Sequence, residues 1–362
     1  MNPADYSLAD FYYSDTDDPT HPPPDFGEWC EAGAWALSLM EPALQGPAVP
    51  RVKIARGGEN QKMINLSSYN YMGMAHHPEV VEAAKQALDT HGTGACGSPL
   101  LSGLSDLHRA LESKLASFLQ RESVMLYNSG FGGVLGAMSG MLRKGDVAIL
   151  DAKCHLCAID GANLSKAKVM FFDHNDPQSL EEILKKTEGK RRLIAVEGVY
   201  SMDGDIADLP ALLEVSHRYQ CPMFIDEAHS ILVYGKHGRG VVEHHNADRD
   251  VPLYFGTFSK SFASVGGFLA GNKDLIDYLR YYSNPYGFSC ALPPSVVAGI
   301  LKVLELNERD PSIRARLWEN TEYFRSNLQR MGVNTGESTS QVIPIVIGSS
   351  HDTIDKATSD LN

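Results

Sequence analysis

Six short apolar runs in the middle of the chain limit what it can fold into more tightly than any other feature. They are Ser123-Val-Met-Leu-Tyr127, Val147-Ala-Ile-Leu150, Val169-Met-Phe-Phe172, Leu193-Ile-Ala-Val196, Met223-Phe-Ile225 and Leu253-Tyr-Phe255. Their hydrophobicity is continuous rather than alternating, which suits strands covered on both faces. Around them the text turns helical. Pro78 to Leu88 starts on a proline and is followed by Gly92, and Leu107, Leu111, Leu115 and Phe118 recur at helical spacing within 105–121. Strands alternating with helices predict an α/β fold, a mostly parallel central sheet covered by helices.

At 362 residues there is room for one large domain and a smaller one: an N-terminal arm and connector over 1–59, a large domain over 60–285 and a smaller C-terminal α+β domain over 286–362. Residues 1–27 are acidic, aromatic and proline-rich and read as an arm that wraps a partner subunit. Residues 28–50, with Trp29, Trp35 and Leu37-Ser-Leu-Met40 before Pro42 and Pro47, read as a short helix leading into an extended connector. The net charge of -13 repels phosphate backbones, and the densest basic cluster, Lys185 to Arg192, is interrupted by Glu188, so nucleic acid is a poor partner. No run approaches the roughly 18 apolar residues of a membrane span. The opening Met-Asn-Pro-Ala-Asp-Tyr lacks the basic and apolar regions of a signal peptide, so a cytoplasmic location is expected. Six scattered cysteines form no disulfide pattern and read as reduced thiols. The one close pair, Cys154-His-Leu-Cys157, is weak evidence for a metal, and none is expected.

In a sheet of this kind ligands gather beyond the carboxyl ends of the strands. The residues there are rich in chemistry. After Tyr127 comes Asn128-Ser-Gly-Phe-Gly-Gly, a glycine-rich turn opening a helix, which offers backbone N–H groups and a positive dipole end to an anion. Asp151 and His155 follow the second run, Glu197 and Ser201 the fourth, and Asp226-Glu-Ala-His229 the fifth. Lys260 follows the sixth, between Phe258 and Phe262 and beside Thr257, Ser259 and Ser261. Apolar surroundings raise the energy of a lysine's charged form and lower its pKa, which makes the amine a nucleophile able to form Schiff bases. Gly130, Gly132 and Gly136, followed by Asp151, loosely imitate a dinucleotide-binding fingerprint. That alternative, an NAD(P)-dependent dehydrogenase, leaves Lys260 and Asp226 without a role. Pyridoxal 5'-phosphate uses all of them: a lysine for its aldehyde, a carboxylate for its pyridine nitrogen, a helix terminus for its phosphate and a ring for its face. Opposite charges about 4 Å apart attract by about 4 kcal/mol at an effective dielectric near 20. That is roughly three pKa units, enough to keep the ring nitrogen protonated.

Eight stretches then carry a resemblance: Ser68-Tyr-Asn-Tyr-Met-Gly73, Gly94-Ala-Cys-Gly-Ser98, Asn128-Ser-Gly-Phe131, Glu197-Gly-Val-Tyr-Ser-Met-Asp-Gly204, Asp226-Glu-Ala-His229, Gly238-Arg-Gly240, Thr257-Phe-Ser-Lys260 and Leu292-Pro-Pro294. From about residue 41 to about residue 345 the chain resembles the α-oxoamine synthases among the fold-type I pyridoxal-phosphate transferases, and within them the serine palmitoyltransferase branch. The resemblance implies that Lys260 bonds covalently to the cofactor, Asp226 pairs with its ring nitrogen, His229 hydrogen-bonds its ring hydroxyl and His155 stacks on its face. Gly130, Phe131, Thr257 and Ser259 would surround the phosphate, with Ser129, Glu197 and Ser201 also cofactor-binding. Ser289 would reach the phosphate of a neighbouring subunit in a homodimer, while Tyr69 and Asn70 would reach substrate, Asn70 near the opposing subunit.

The implied reaction is a decarboxylating condensation of a small amino acid (serine, alanine or aminomalonate) with a long-chain acyl thioester, carried on coenzyme A or a carrier protein, to an α-amino ketone. The setting would be the making of sphingoid bases or of amino alcohols built on polyketide or fatty-acyl chains. The charge of -13 disfavours both acidic carriers unless a local basic patch compensates. The family's arginine-bearing loop, which grips the amino-acid carboxylate, would lie beyond Asn362, so the small domain is expected to be incomplete. Two further alternatives are an aminotransferase or lyase of the same fold, which the Tyr69-Asn-Tyr71 and Asp226-Glu-Ala-His229 stretches disfavour, and a non-catalytic subunit, which would lack Lys260.

Overall fold

Seven strands join one sheet in the computed structural model, which describes residues 8–11, 18–32, 43–56 and 59–348. The chain divides into two compact units, one of Ser67–Pro344 and one of Met1–Leu66 with Ile345–Asn362. In the second unit β1 (Leu44–Gln45), β2 (Arg51–Arg56) and β3 (Glu59–Ile64) pair antiparallel in that order. Buried Val52 and Ile54 alternate with exposed Arg51 and Lys53, as a strand with one covered face requires. A helix begins at Pro24 and runs to Ala32, earlier than the sequence reading from residue 28, because proline's fixed φ suits a helix's first position. Its Trp29 lies against Phe26 and Phe11, with ring centroids 5.9 and 5.3 Å away. Trp35 and Leu37–Met40, much of the arm, and everything after residue 348 lie outside the described residues.

The larger unit holds the sheet of β4 (Ser123–Tyr127), β5 (Val147–Asp151), β6 (Lys168–Phe172), β7 (Arg192–Glu197), β8 (Met223–Asp226), β9 (Leu253–Thr257) and β10 (Gly267–Gly271). Its order is β4-β10-β9-β8-β7-β5-β6, and β10 pairs antiparallel with both neighbours. Two reversals restore direction, so β4 runs the same way as the other five strands. The continuous apolar runs are explained by the two clusters they feed. Val147, Ile149, Met223 and Ile225 enter one core with Leu111, Leu115 and Phe118 of the helix Asp106–Leu119. Ala148, Leu150, Phe224 and Phe255 enter the other with Val134 and Met138 of the helix Gly130–Met141. The helices Pro294–Arg309 and Ser312–Arg330, read from the sequence as part of a smaller domain, belong to the same unit as this sheet.

The topology removes the dinucleotide alternative. That fingerprint needs the strand before the glycine turn and the next strand to be parallel neighbours. Here β4 is an edge strand paired only with antiparallel β10, while β5 lies between β7 and β6.

Candidate active site

The carboxyl ends of β4, β5, β7, β8 and β9 open on one cavity of about 370 Å³. Ser129 caps the helix Gly130–Met141, its Oγ accepting the Gly132 N–H at 3.2 Å. Among the described residues the N–H groups of Gly130 and Phe131 are left without a partner, at the positive end of that helix. A Cβ on Gly130 would stand 2.6 Å from Thr257 Oγ1, so glycine is what lets the helix start lie against Thr257. The Thr257 hydroxyl donates to Gly266 O at 2.9 Å and lies 2.9 Å from Ser259 Oγ. Hydroxyls and free N–H groups are thereby brought to one place.

Lys260 sits in the turn after β9, tied by Ala263 N–H to its own carbonyl at 2.8 Å and by Phe258 N–H to Gly266 O at 2.9 Å. Its Nζ lies 5.9 Å from the Tyr69 ring centroid. Burial lowers its pKa, against the attraction of Asp226, Glu197 and Cys157. The cause is the cavity wall rather than the flanking phenylalanines, because Phe258 and Phe262 pack against each other in the main core and neither lines the cavity.

Asp226 ends β8 and Glu197 ends β7, opposite each other in the parallel register. Burial pushes both upward: Glu197 reaches about 8, with the Asp226 charge as second cause, and Asp226 rises despite Lys260. Among the described residues neither has an ion-pair partner. Asp226 Oδ1 accepts the Ala228 N–H at 2.9 Å, and Glu197 Oε1 accepts the His155 N–H at 2.5 Å. Two buried carboxyls that share one lysine and make no direct ion pair ionise at a cost, which a further positive group beside them would offset. His155 caps the helix Leu156–Leu164, its Nδ1 accepting the Cys157 N–H at 3.2 Å and lying 2.9 Å from Cys157 Sγ. His229 Nδ1 lies 2.8 Å from Tyr71 Oη.

Of the residues singled out from the sequence, Lys260, His155, Asp226, His229, Ser129, Gly130, Phe131, Glu197, Ser201, Thr257, Ser259 and Tyr69 all line this cavity. Asn70 and Ser289 do not. Asn70 turns its Oδ1 to the Ala75 N–H at 3.3 Å, and Ser289 lies half-buried in the bend after the helix Asn284–Gly287. Sequence reasoning missed Tyr71, Cys157 and Gln341. Tyr71 stood inside a recognised stretch, and Cys157 stood in the pair weighed for a metal. Gln341 had no local signal.

The family model for aminotransferase class I and II matches residues 61–360. An 8-amino-7-oxononanoate synthase from Thermoanaerobacter pseudethanolicus is 38% identical over 307 residues, which cover 84% of this chain and 77% of the relative. A putative 8-amino-7-oxononanoate synthase 2 from Mycobacterium tuberculosis is 39% identical over 307 residues, 85% of this chain but 39% of the relative's length. The structure of Sphingomonas wittichii serine palmitoyltransferase superposes with a TM-score of 0.85 at 35% identity, covering 91% of this chain and 84% of that one. The chain is an α-oxoamine synthase. Its family comprises acyltransferases that depend on pyridoxal 5'-phosphate. The cavity of this synthase fits that group: a desolvated amine, two buried carboxyls, two imidazoles and an anion cradle all line it. Among the described residues no helix is long and apolar enough to cross a membrane.

Proposed function

We propose that this synthase joins serine, or a similarly small amino acid, to a long-chain acyl thioester, releasing carbon dioxide and the thiol and leaving an α-amino ketone. The observation that carries the reading is the set formed by Lys260 and the buried Asp226 and Glu197 carboxylates in one cavity. Pyridoxal phosphate bound there supplies an aldehyde for the amino acid's amine and an electron-withdrawing ring for the carbanion at its Cα. Lys260 would hold it covalently, Asp226 would stand at its ring nitrogen, and Gly130, Phe131, Ser129, Thr257 and Ser259 would take its phosphate. Glu197, holding the His155 backbone, would fix the loop that sets the His155 ring over the cofactor. The freed Lys260 amine would be the base that takes the substrate's Cα proton, and it would return a proton to Cα only after the acyl group has joined there and carbon dioxide has left. Burial shifts its pKa downward, toward the neutral amine this work needs.

Two names support a small amino acid. Serine palmitoyltransferase states it, and 8-amino-7-oxononanoate is a nine-carbon chain whose amine sits on the carbon next to a ketone and a terminal methyl. The long chain is supported by the likeness to the palmitoyltransferase over 91% of this chain. A second reading, alanine with a shorter acyl chain ending in a carboxylate, is favoured by the two oxononanoate synthases. Homodimers are supported by an apolar patch beside Ser289. Leu101 and Phe288 are 86% and 87% exposed, and their segments are joined by Ala291 N–H to Gly97 O at 2.9 Å. Purified protein should be offered serine, alanine and aminomalonate against palmitoyl and shorter or carboxylate-ended acyl chains, on coenzyme A and on a carrier protein, with the amino ketone detected by mass. Product from serine and palmitoyl thioester supports the first reading; product from alanine and short chains alone replaces it with the second.

A further inference from the structure

His229 is held by two residues that no local sequence pattern connects to it. Its Nδ1 lies 2.8 Å from the Tyr71 phenol oxygen, 158 positions away, and its carbonyl accepts from Gln341 Nε2 at 2.7 Å, 112 positions away. The chemistry around the Tyr71–His229 pair decides which way its proton points. Among the described residues His229 Nδ1 is the one hydrogen-bond partner of the Tyr71 phenol oxygen, so a phenol that accepted there would leave its own hydrogen without an acceptor. Burial pushes that phenol above its usual range and it keeps its hydrogen at neutral pH. Burial, then the charges of Lys260 and His155, hold His229 well below its ordinary value, so the ring is neutral. A neutral imidazole has one donor nitrogen and one acceptor. With Nδ1 accepting from Tyr71, Nε2 carries the hydrogen, and among the described residues Nε2 has no partner.

We propose that Tyr71 is a positioning residue that locks His229, whose backbone carbonyl Gln341 holds, in the Nε2–H tautomer, so that the ring offers the cavity a hydrogen-bond donor and not an acceptor. This rests on the reading of His229 as the group facing the cofactor's ring hydroxyl, whose oxygen accepts a hydrogen bond in its anionic form. Without Tyr71 no group of the chain selects between the two neutral tautomers, and a part of the population turns a lone pair toward that oxygen.

The test is nitrogen NMR of labelled protein, with cofactor bound and after its removal, His229 being assigned by the signals lost in His229→Asn. We expect wild-type Nδ1 to resonate as an unprotonated ring nitrogen and Nε2 as a protonated one in both states. In Tyr71→Phe the two signals should move toward each other, and the dissociation constant for pyridoxal phosphate should rise roughly 5- to 10-fold, the loss of one hydrogen bond. Gln341→Met should move both in the same direction by less. Wild-type signals in the reverse order overturn the proposal even if Tyr71→Phe does not fold. Unchanged signals in a folded Tyr71→Phe overturn it as well. If the wild-type order is as expected but His229→Asn binds the cofactor as tightly as wild type, the reading of His229 fails while the role of Tyr71 stands.

Discussion

Burial raises the pKa of both Asp226 and Glu197, and each yields a prediction. Asp226→Asn keeps the size and removes the charge. A carboxylate about 4 Å from a ring nitrogen at an effective dielectric near 20 stabilises its proton by about 4 kcal/mol. Turnover should therefore fall by roughly 10³-fold, with a far smaller change in cofactor affinity; near-normal turnover in steady-state assays would remove Asp226 from the ring nitrogen. Glu197 titrates near 8 in the folded chain against an ordinary value of 4.5, through burial first and the Asp226 charge second. The folded state thus holds this proton more tightly than the unfolded one. The stability it gives is whole below about pH 4.5 and is lost as pH rises through about 8. Glu227, raised to about 7 by burial, has the same sign. Cofactor-free protein should melt at progressively lower temperature as pH rises from about 5 to about 8, and Glu197→Gln should flatten part of that slope; an identical slope in the variant contradicts the assignment. These residues were legible in the sequence because each follows a strand whose apolar run marks its own end. The partnership of Tyr71, His229 and Gln341 was not, since it joins segments more than a hundred positions apart.

Among the elements, the hairpin from β9 to β10 positions Lys260, and the sequence revealed half of it. β9 is an apolar run, whereas β10 begins and ends in glycine and carries too little side chain to announce a strand. Those glycines are packing requirements: a Cβ on Gly267 would meet Gly256 O at 2.9 Å, and Gly266, at φ +98°, would bring one to 2.4 Å from Tyr127 O. Gly266 O also receives the Phe258 N–H and the Thr257 hydroxyl, each at 2.9 Å. Gly266→Ala should therefore cost about 2–4 kcal/mol, combining left-handed backbone strain with a clash against a fixed carbonyl. Calorimetry should show a melting temperature lower by roughly 5–10 °C, together with weaker cofactor retention because the Lys260 turn hangs on that carbonyl. A variant as stable as wild type would mean that the turn is looser than its hydrogen bonds indicate.

At the scale of the whole molecule, the α/β architecture followed from alternation alone, while the proposed dimer had no counterpart in the strand and helix pattern. Leu101 and Phe288 are the two most exposed of the large apolar side chains among the described residues, and they stand on segments joined by a backbone hydrogen bond. Paired Leu101→Asp and Phe288→Asp substitutions should convert a dimer to a monomer in sedimentation velocity without unfolding it, and an unchanged mass would move the interface elsewhere. Everything proposed for the cavity depends on Lys260. Purified protein should show a visible absorbance band that borohydride abolishes, and peptide mapping by mass should then find the reduced cofactor on the peptide bearing Lys260, with no band in Lys260→Ala. Recovery of the adduct on any other lysine, or a band that survives Lys260→Ala unchanged, would contradict it.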